Sequence, residues 1–213
     1  MHEIEALTSE ALRQLVAGGC DTAVVPFGSI EHQGPHLPLG ADAFVAEAVG
    51  RGVAERLGAL LLPVLKIGDA SRHADRSGTL TVSGGTLAAA AFEIAESLVR
   101  QGVRVVALVS THGGNRSALE DASTRLEAAH PGVLVPVPRG DLGPDPGRHS
   151  GEWLTSTMLA LRPQLVRAGD APAELAAEVR NASAARGAEH LERFIASVVS
   201  ELGAAITRFR QVN

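Results

Sequence analysis

The sequence predicts an α/β protein, a three-layer α/β/α sandwich around a mostly parallel central sheet. Short apolar runs at residues 22–27, 60–65, 103–109 and 133–137 alternate with longer helical patterns. That alternation is the mark of a parallel sheet covered on both faces. The Gly- and Pro-rich polar segments also follow strand ends, where open α/β sheets place their ligand sites.

Thr8 or Ser9 caps a first helix through Leu15, Val16 and Ala17, stopped by Gly18-Gly19. Strand Thr22–Phe27 follows. Asp42 caps a helix to about Leu57, with Phe44, Val45, Ala48, Val49, Val53 and Leu57 on one face. Leu60–Leu65 reads as a second buried strand, and the polar segment Asp69–Ser77 leads to Gly78–Val82. Thr86 opens a helix to about Gln101. Val103–Val109 is the clearest strand, ending at Thr111-His112-Gly113-Gly114-Asn115. A helix over Ser117–Ala129, a strand Val133–Val137 and a loop Pro138–Arg148 come next. A helix then starts near Gly151-Glu152-Trp153 and stops before Pro163. The segment Pro172–Phe209 is helical, its core stripe formed by Leu191, Phe194, Ile195, Val198, Val199, Leu202 and Ile206. With no repeat or linker, residues 1–213 are expected to form a single domain.

Composition removes several function classes. The net charge of −5 leaves no basic footprint for nucleic acid. No apolar run approaches the ~20 residues that cross a bilayer. The start Met1-His2-Glu3-Ile4-Glu5 lacks the basic and apolar regions of a signal peptide. Cys20 is the only cysteine, which excludes a metal–thiolate cluster. The expectation is a cytoplasmic protein without membrane or nucleic-acid partners. Neither a Gly-x-Ser-x-Gly elbow nor a phosphate-binding P-loop is present.

Chemistry concentrates in Pro26–Asp42, where Glu31, His36 and Asp42 offer oxygen and imidazole donors on a rigid strand-end loop. Such a mixture suits Zn, Mn or Fe(II). Joined by His112 from another strand end, Glu31 and Asp42 make a three-ligand site for one divalent metal per chain, with positions open to water and substrate. The bland alternative is that these groups cap helices and pin loops, Asp42 as an N-cap. His149 is the candidate proton donor to a leaving amine, or else a loop-packing histidine. Glu152 orients His149, binds substrate, completes the metal shell or serves as reserve base; otherwise it is a favourable charge at a helix start. Asn115 and backbone N–H groups of the glycine turn are candidate oxyanion donors. His36 and Trp153 are expected at the substrate. His73 lines its mouth, from its own or a neighbouring subunit, or is simply solvated. His2, His130 and His190 are read as lying at the terminus, a helix end and a helix surface, without chemistry.

Pro26–Asp42, His112–Asn115 and His149–Ser156 together resemble the creatininase (creatinine amidohydrolase) family. Its hallmarks are Pro-x-Gly-Ser-x-Glu-Gln-His-Gly-Pro-His-Leu-Pro-Leu-x-Thr-Asp, His-Gly-Gly-Asn and His-Ala-Gly-Glu-x-Glu-Thr-Ser. Gly78-Thr79, five residues after His73, also fits the family's His-x-x-Phe-Pro-Gly-Thr pattern, with Arg76-Ser77 in place of Phe-Pro. The resemblance implies an α/β/α domain, a homo-oligomer and often a hexamer, with a one- or two-metal site that hydrolyses non-standard amides. Its substrates are small molecules or modified peptides: cyclic amides such as creatinine, a formylated pyrimidine intermediate, the mycofactocin precursor peptide. By position it makes Glu31 and His112 ligands of the first metal, Asp42 a bridge and His149 the catalytic histidine. Three departures stand out. Gln33 occupies the place of the second-metal histidine, with His32 one residue early. Leu154 replaces a glutamate, and Gly114 stands where true creatininases carry another, which argues against creatinine as substrate. The expected function is a metal-dependent amidohydrolase in a specialised biosynthetic pathway. A degenerate homologue that binds without turnover is the alternative, as is an altered site performing isomerisation or cyclisation.

Overall fold

Strand alternation decides the layering. In the computed structural model, which describes residues 1–144 and 147–212, β2 (Thr22–Phe27) and β4 (Val105–Ser110) pair in parallel, Thr22 opposite Val105 and Phe27 opposite Ser110. Successive side chains leave a strand on opposite faces. Ala23, Val25, Phe27, Val106 and Leu108 therefore enter one core, while Val24, Ala107 and Val109 enter another. The first core packs against α3 (Gly84–Val99) and α4 (Arg116–Ala129) through Leu87, Ala91, Leu119 and Leu126. The second packs against α2 (Ala41–Leu57), α5 (Glu152–Leu161) and α7 (Ala184–Val212) through Val45, Val49, Met158, Phe194 and Leu202. The three-layer arrangement follows. With β1 (His2–Glu3) and β3 (Leu60–Leu61), the sheet order is β1-β3-β2-β4, all pairs parallel.

The first helix, α1 (Ser9–Ala17), begins as expected, with Thr8 Oγ1 accepting from the Ala11 N–H at 3.2 Å. Several boundaries differ, for identifiable reasons. β1 (His2–Glu3), beside Leu60 and Leu61, is too short to leave a pattern. β3 ends at Leu61 because Pro63 has no N–H for a ladder; pairing resumes at a single bridge between Phe27 and Leu65. Val133–Val137 lies along β4 as an edge, Leu134 N–H donating to Arg104 O at 2.9 Å and Val106 N–H to Leu134 O at 2.9 Å. Pro136 accepts from Leu108 N–H at 3.0 Å but has no N–H to return, so no regular strand forms beyond the bridge Val105–Leu134. The helical tail divides into α6 (Ala176–Arg180) and α7, where Ser183 Oγ caps the Arg186 N–H at 3.3 Å. Within the loop expected over Pro138–Arg148, residues 145 and 146 lie outside the described ones. No helix among the described residues is long and apolar enough to cross a membrane.

Candidate metal centre

The carboxyl ends of β2 and β4 carry the two loops that meet. After β2 the chain runs over Gly28, where an added Cβ would lie 2.5 Å from Ala43 Cα, so only glycine lets the loop touch the start of α2. That contact places Asp42, in the first turn of α2, beside Glu31. Gly40 occupies the cap position and Asp42 turns into the site, so the reading of Asp42 as an N-cap does not hold.

His112 completes the group from the end of β4. Its Nδ1 lies 3.0 Å from Glu31 Oε1 and 3.2 Å from Asp42 Oδ2. Its Nε2 is 2.9 Å from the Asp69 carbonyl, which only accepts, so Nε2 carries a hydrogen and Nδ1 faces the carboxylates. A backbone carbonyl fixing the outer nitrogen is how proteins orient a metal-binding imidazole. An added Cβ on Gly114 would fall 2.1 Å from that same Asp69 oxygen. Ser29 Oγ donates to Asp42 Oδ2 at 2.8 Å and to Glu31 Oε1 at 3.3 Å. Ligand atoms of Glu31, Asp42 and His112 all lie within 4.8 Å of one another.

Charge is concentrated here. Burial works to raise the Glu31 pKa, but the hydrogen bond and charge of His112 outweigh it and hold Glu31 at about 2. Asp42 is pushed up, chiefly by burial, against the opposing pull of His112 and with added repulsion from Glu31. For His112 burial acts downward, yet hydrogen bonds to Asp42 and Glu31 lift it to about 10. Two carboxylates thus hold a cation at the position of the His112 proton. A divalent ion fits the same donors, two hard oxygens and one imidazole nitrogen.

Gln33 is buried between the two carboxylates. Its Nε2 donates to Glu31 Oε1 and Asp42 Oδ2, both at 3.2 Å, while its Oε1 accepts from Ser150 Oγ at 2.6 Å. Ser150, next to His149, has φ 60°, a left-handed conformation that costs a non-glycine residue energy. Its carbonyl accepts from His36 Nε2 at 2.9 Å. His36 is completely buried and lines no described cavity, so the substrate contact expected of it is replaced by a clamp on the His149 loop.

His149 itself faces the cavity, with Nε2 donating to His32 O at 3.1 Å and its ring stacked on His73, centroids 4.5 Å apart. A lobe of about 480 Å³ lies over Glu31, Asp69, Arg72, His73, His112 and His149. A second lobe, of about 240 Å³, shares His112 and His149 but is walled by Leu142, Trp153 and Leu154. Trp153 lines it although largely buried, its ring packing on His190 and Phe194.

Two expected roles are displaced by observed bonds. Asn115 is fully buried: Nδ2 donates to Gly28 O at 2.9 Å, and Oδ1 accepts from the Asp69 N–H at 2.9 Å. Its second amide hydrogen goes to Ser110 Oγ at 3.3 Å, so Asn115 pins these loops together and has no side-chain donor left for an oxyanion. Glu152 is bound by Ser156 Oγ at 2.5 Å, Arg186 Nε at 2.7 Å and His190 Nε2 at 3.0 Å. Burial raises its pKa, but those partners override it and hold the carboxyl at about 2, too acidic for a base near neutrality. His190, read as a surface residue, is buried in this cluster. Ser29, the Asp69 carbonyl and Ser150 were not singled out from sequence; serines and backbone carbonyls carry no chemical signature until a fold aims them.

The profile of the creatininase family (Creatinine amidohydrolase) matches residues 5–200. A mycofactocin precursor peptide peptidase of Mycobacterium ulcerans (strain Agy99) is 34% identical over 152 residues, covering 67% of this chain and 59% of that protein. This chain thus spans little more than half of that relative's length. A creatinine amidohydrolase of Pseudomonas putida is 31% identical over 187 residues, 75% of this chain and 72% of that one. A crystal structure of creatinine amidohydrolase (creatininase) superposes with a TM-score of 0.80 at 27% identity, covering 94% of this chain and 96% of that one. Creatininase structures described as Zn-Zn type and as Mn each give a TM-score of 0.79 at 25% identity, covering 93% of this chain and 96% of theirs. Fold, loop motifs and profile coincide over nearly the whole sequence: the chain belongs to the creatininase family.

Proposed function

We propose that this protein is a mononuclear metal-dependent amidohydrolase, cleaving a non-standard or cyclic amide C–N bond of a small molecule or modified peptide in a specialised biosynthetic pathway. The observation that carries the proposal is the convergence of Glu31, Asp42 and His112 Nδ1 on one point, with Nε2 of the same imidazole tied to the Asp69 carbonyl. Relatives acting on creatinine and on a peptide precursor support the reaction class. Zn- and Mn-type neighbours support a divalent cation. A single cation is favoured because Gln33 presents an amide N–H where the family places an imidazole. The contact of Gly114 with Asp69 O also leaves no room for a carboxylate-bearing side chain.

A cation held by Glu31, Asp42 and His112 supplies Lewis acidity, acidifying water and polarising a carbonyl. Ser29 and Gln33 fix the two carboxylates by hydrogen bonds. His149, with Nε2 engaged by His32 O, keeps Nδ1 to take up a proton and deliver it to the departing nitrogen. The Gly113-Gly114 turn lines the cavity and offers backbone N–H groups to a developing oxyanion. Glu152 ties α5 to α7 and so positions the segment that carries His149.

Metal analysis of the purified protein tests this reading. It predicts about one tightly held transition metal per chain, lost in Glu31→Ala or His112→Ala, and amide hydrolysis that stops on chelation. A folded, metal-free protein indifferent to chelators would instead identify a binder without turnover. The family's homo-oligomeric assembly is part of the proposal, and a monomer by light scattering contradicts it.

A further inference from the structure

Glu31 offers its first oxygen, Oε1, to His112, Ser29 and Gln33. Its second, Oε2, is buried and has no hydrogen-bond partner among the described residues. A buried carboxylate oxygen left unpaired is uncommon in a folded protein and marks a place where something else belongs. What faces it is a pair of histidines. His73 Nε2 lies 3.9 Å from Oε2, and the His73 and His149 rings stack with 16° between their planes. Ligand atoms of Glu31, His73 and His149 all fall within 4.8 Å of one another.

We propose that Glu31 Oε2, His73 and His149 form a second, weaker cation site, and that filling it silences the protein by taking the His149 nitrogen needed for proton transfer. The silencing rests on the role given to His149 above; the site does not. This is a different place from the one Gln33 fills, because the Gln33 amide sits on Oε1 and Asp42, on the other side of the carboxylate. Two imidazoles and one carboxylate oxygen suit zinc. The weaker affinity has a physical basis. The first site brings two carboxylates to its ion and the second only one, shared with the first. His73 is also partly exposed on the wall of the larger lobe, so an ion there has an open route to solvent.

The probe is Zn²⁺ alone, titrated into the full chain and followed by equilibrium dialysis and by ¹⁵N NMR of the histidine rings. Two classes of zinc are expected. Filling the weaker one shifts the His73 and His149 ring signals and leaves those of His112 in place. His73→Ala loses the weaker class and keeps the tight one, with an unchanged circular dichroism spectrum as the control for folding. Uptake that ends after the tight class, or a weaker class that survives His73→Ala, overturns the second site while leaving the mononuclear reading intact. Absence of the tight class overturns the mononuclear reading alone, and the second site is then judged by whether the remaining zinc is lost in His73→Ala.

Discussion

Glu31 and Asp42 surround His112 with more carboxylate oxygen than one ring nitrogen satisfies, whereas Glu152 is matched by Arg186, His190 and Ser156. Both glutamates are buried and both are held at about 2. They differ in balance and in access. The first cluster opens onto the cavity and keeps an unpartnered carboxylate oxygen, whereas both carboxylate oxygens of Glu152 are bonded, and what that cluster leaves unpartnered is a ring nitrogen, His190 Nδ1. A perturbed carboxylate alone therefore does not mark a reactive site. An excess of acceptors beside open space does, and a balanced set of partners marks a clamp.

The largest effect that separates the two clusters is on cation affinity. His112→Ala should weaken binding by more than about 100-fold, read by isothermal titration, whereas His190→Ala should leave it unchanged. Equal losses in both variants would remove the distinction. Stability reports on the closed cluster. Glu152→Gln should cost about 2 kcal/mol at neutral pH, a figure discounted for the exposure of Arg186, with the tight cation retained. The sign of its pH dependence follows from a depressed carboxyl. The stabilisation is fully present above the ordinary value of 4.5 and is lost as pH falls towards about 2. Acid unfolding of the native protein should therefore steepen in that window, and Glu152→Gln should flatten it.

Gly114→Ala probes the wall of the first cluster. Its Cβ meets Asp69 O, so about 2 kcal/mol of thermal stability should go together with cation affinity; a variant that binds normally would show that the Asp69–His112 bond is dispensable. The smallest effect belongs to Gln33→Ala. Losing its hydrogen bonds to Glu31, Asp42 and Ser150 should cost about 1 kcal/mol, while zinc stoichiometry in the tight class stays the same.

Legibility from sequence tracked how local each signal was. The layers could be read because Val24, Val25, Val106 and Leu108 sit in uninterrupted apolar runs, and the loop of Glu31 and Asp42 because its donors lie close together in sequence. Asn115 and Glu152 look like free chemical groups in the sequence because their partners are far along the chain. Asp69 is 46 residues from Asn115, and Arg186 is 34 from Glu152. His36, expected at the substrate, and His190, expected on a helix surface, are both buried by the fold. Prolines 63 and 136 shortened two strands that hydrophobicity alone extended, since pattern counts side chains and a ladder counts N–H groups.

The most direct test is an anomalous-scattering map from crystals of protein loaded with limiting zinc. The account predicts a single peak bounded by Glu31, Asp42 and His112 Nδ1. A peak elsewhere on the chain, or none between those three side chains, would contradict it.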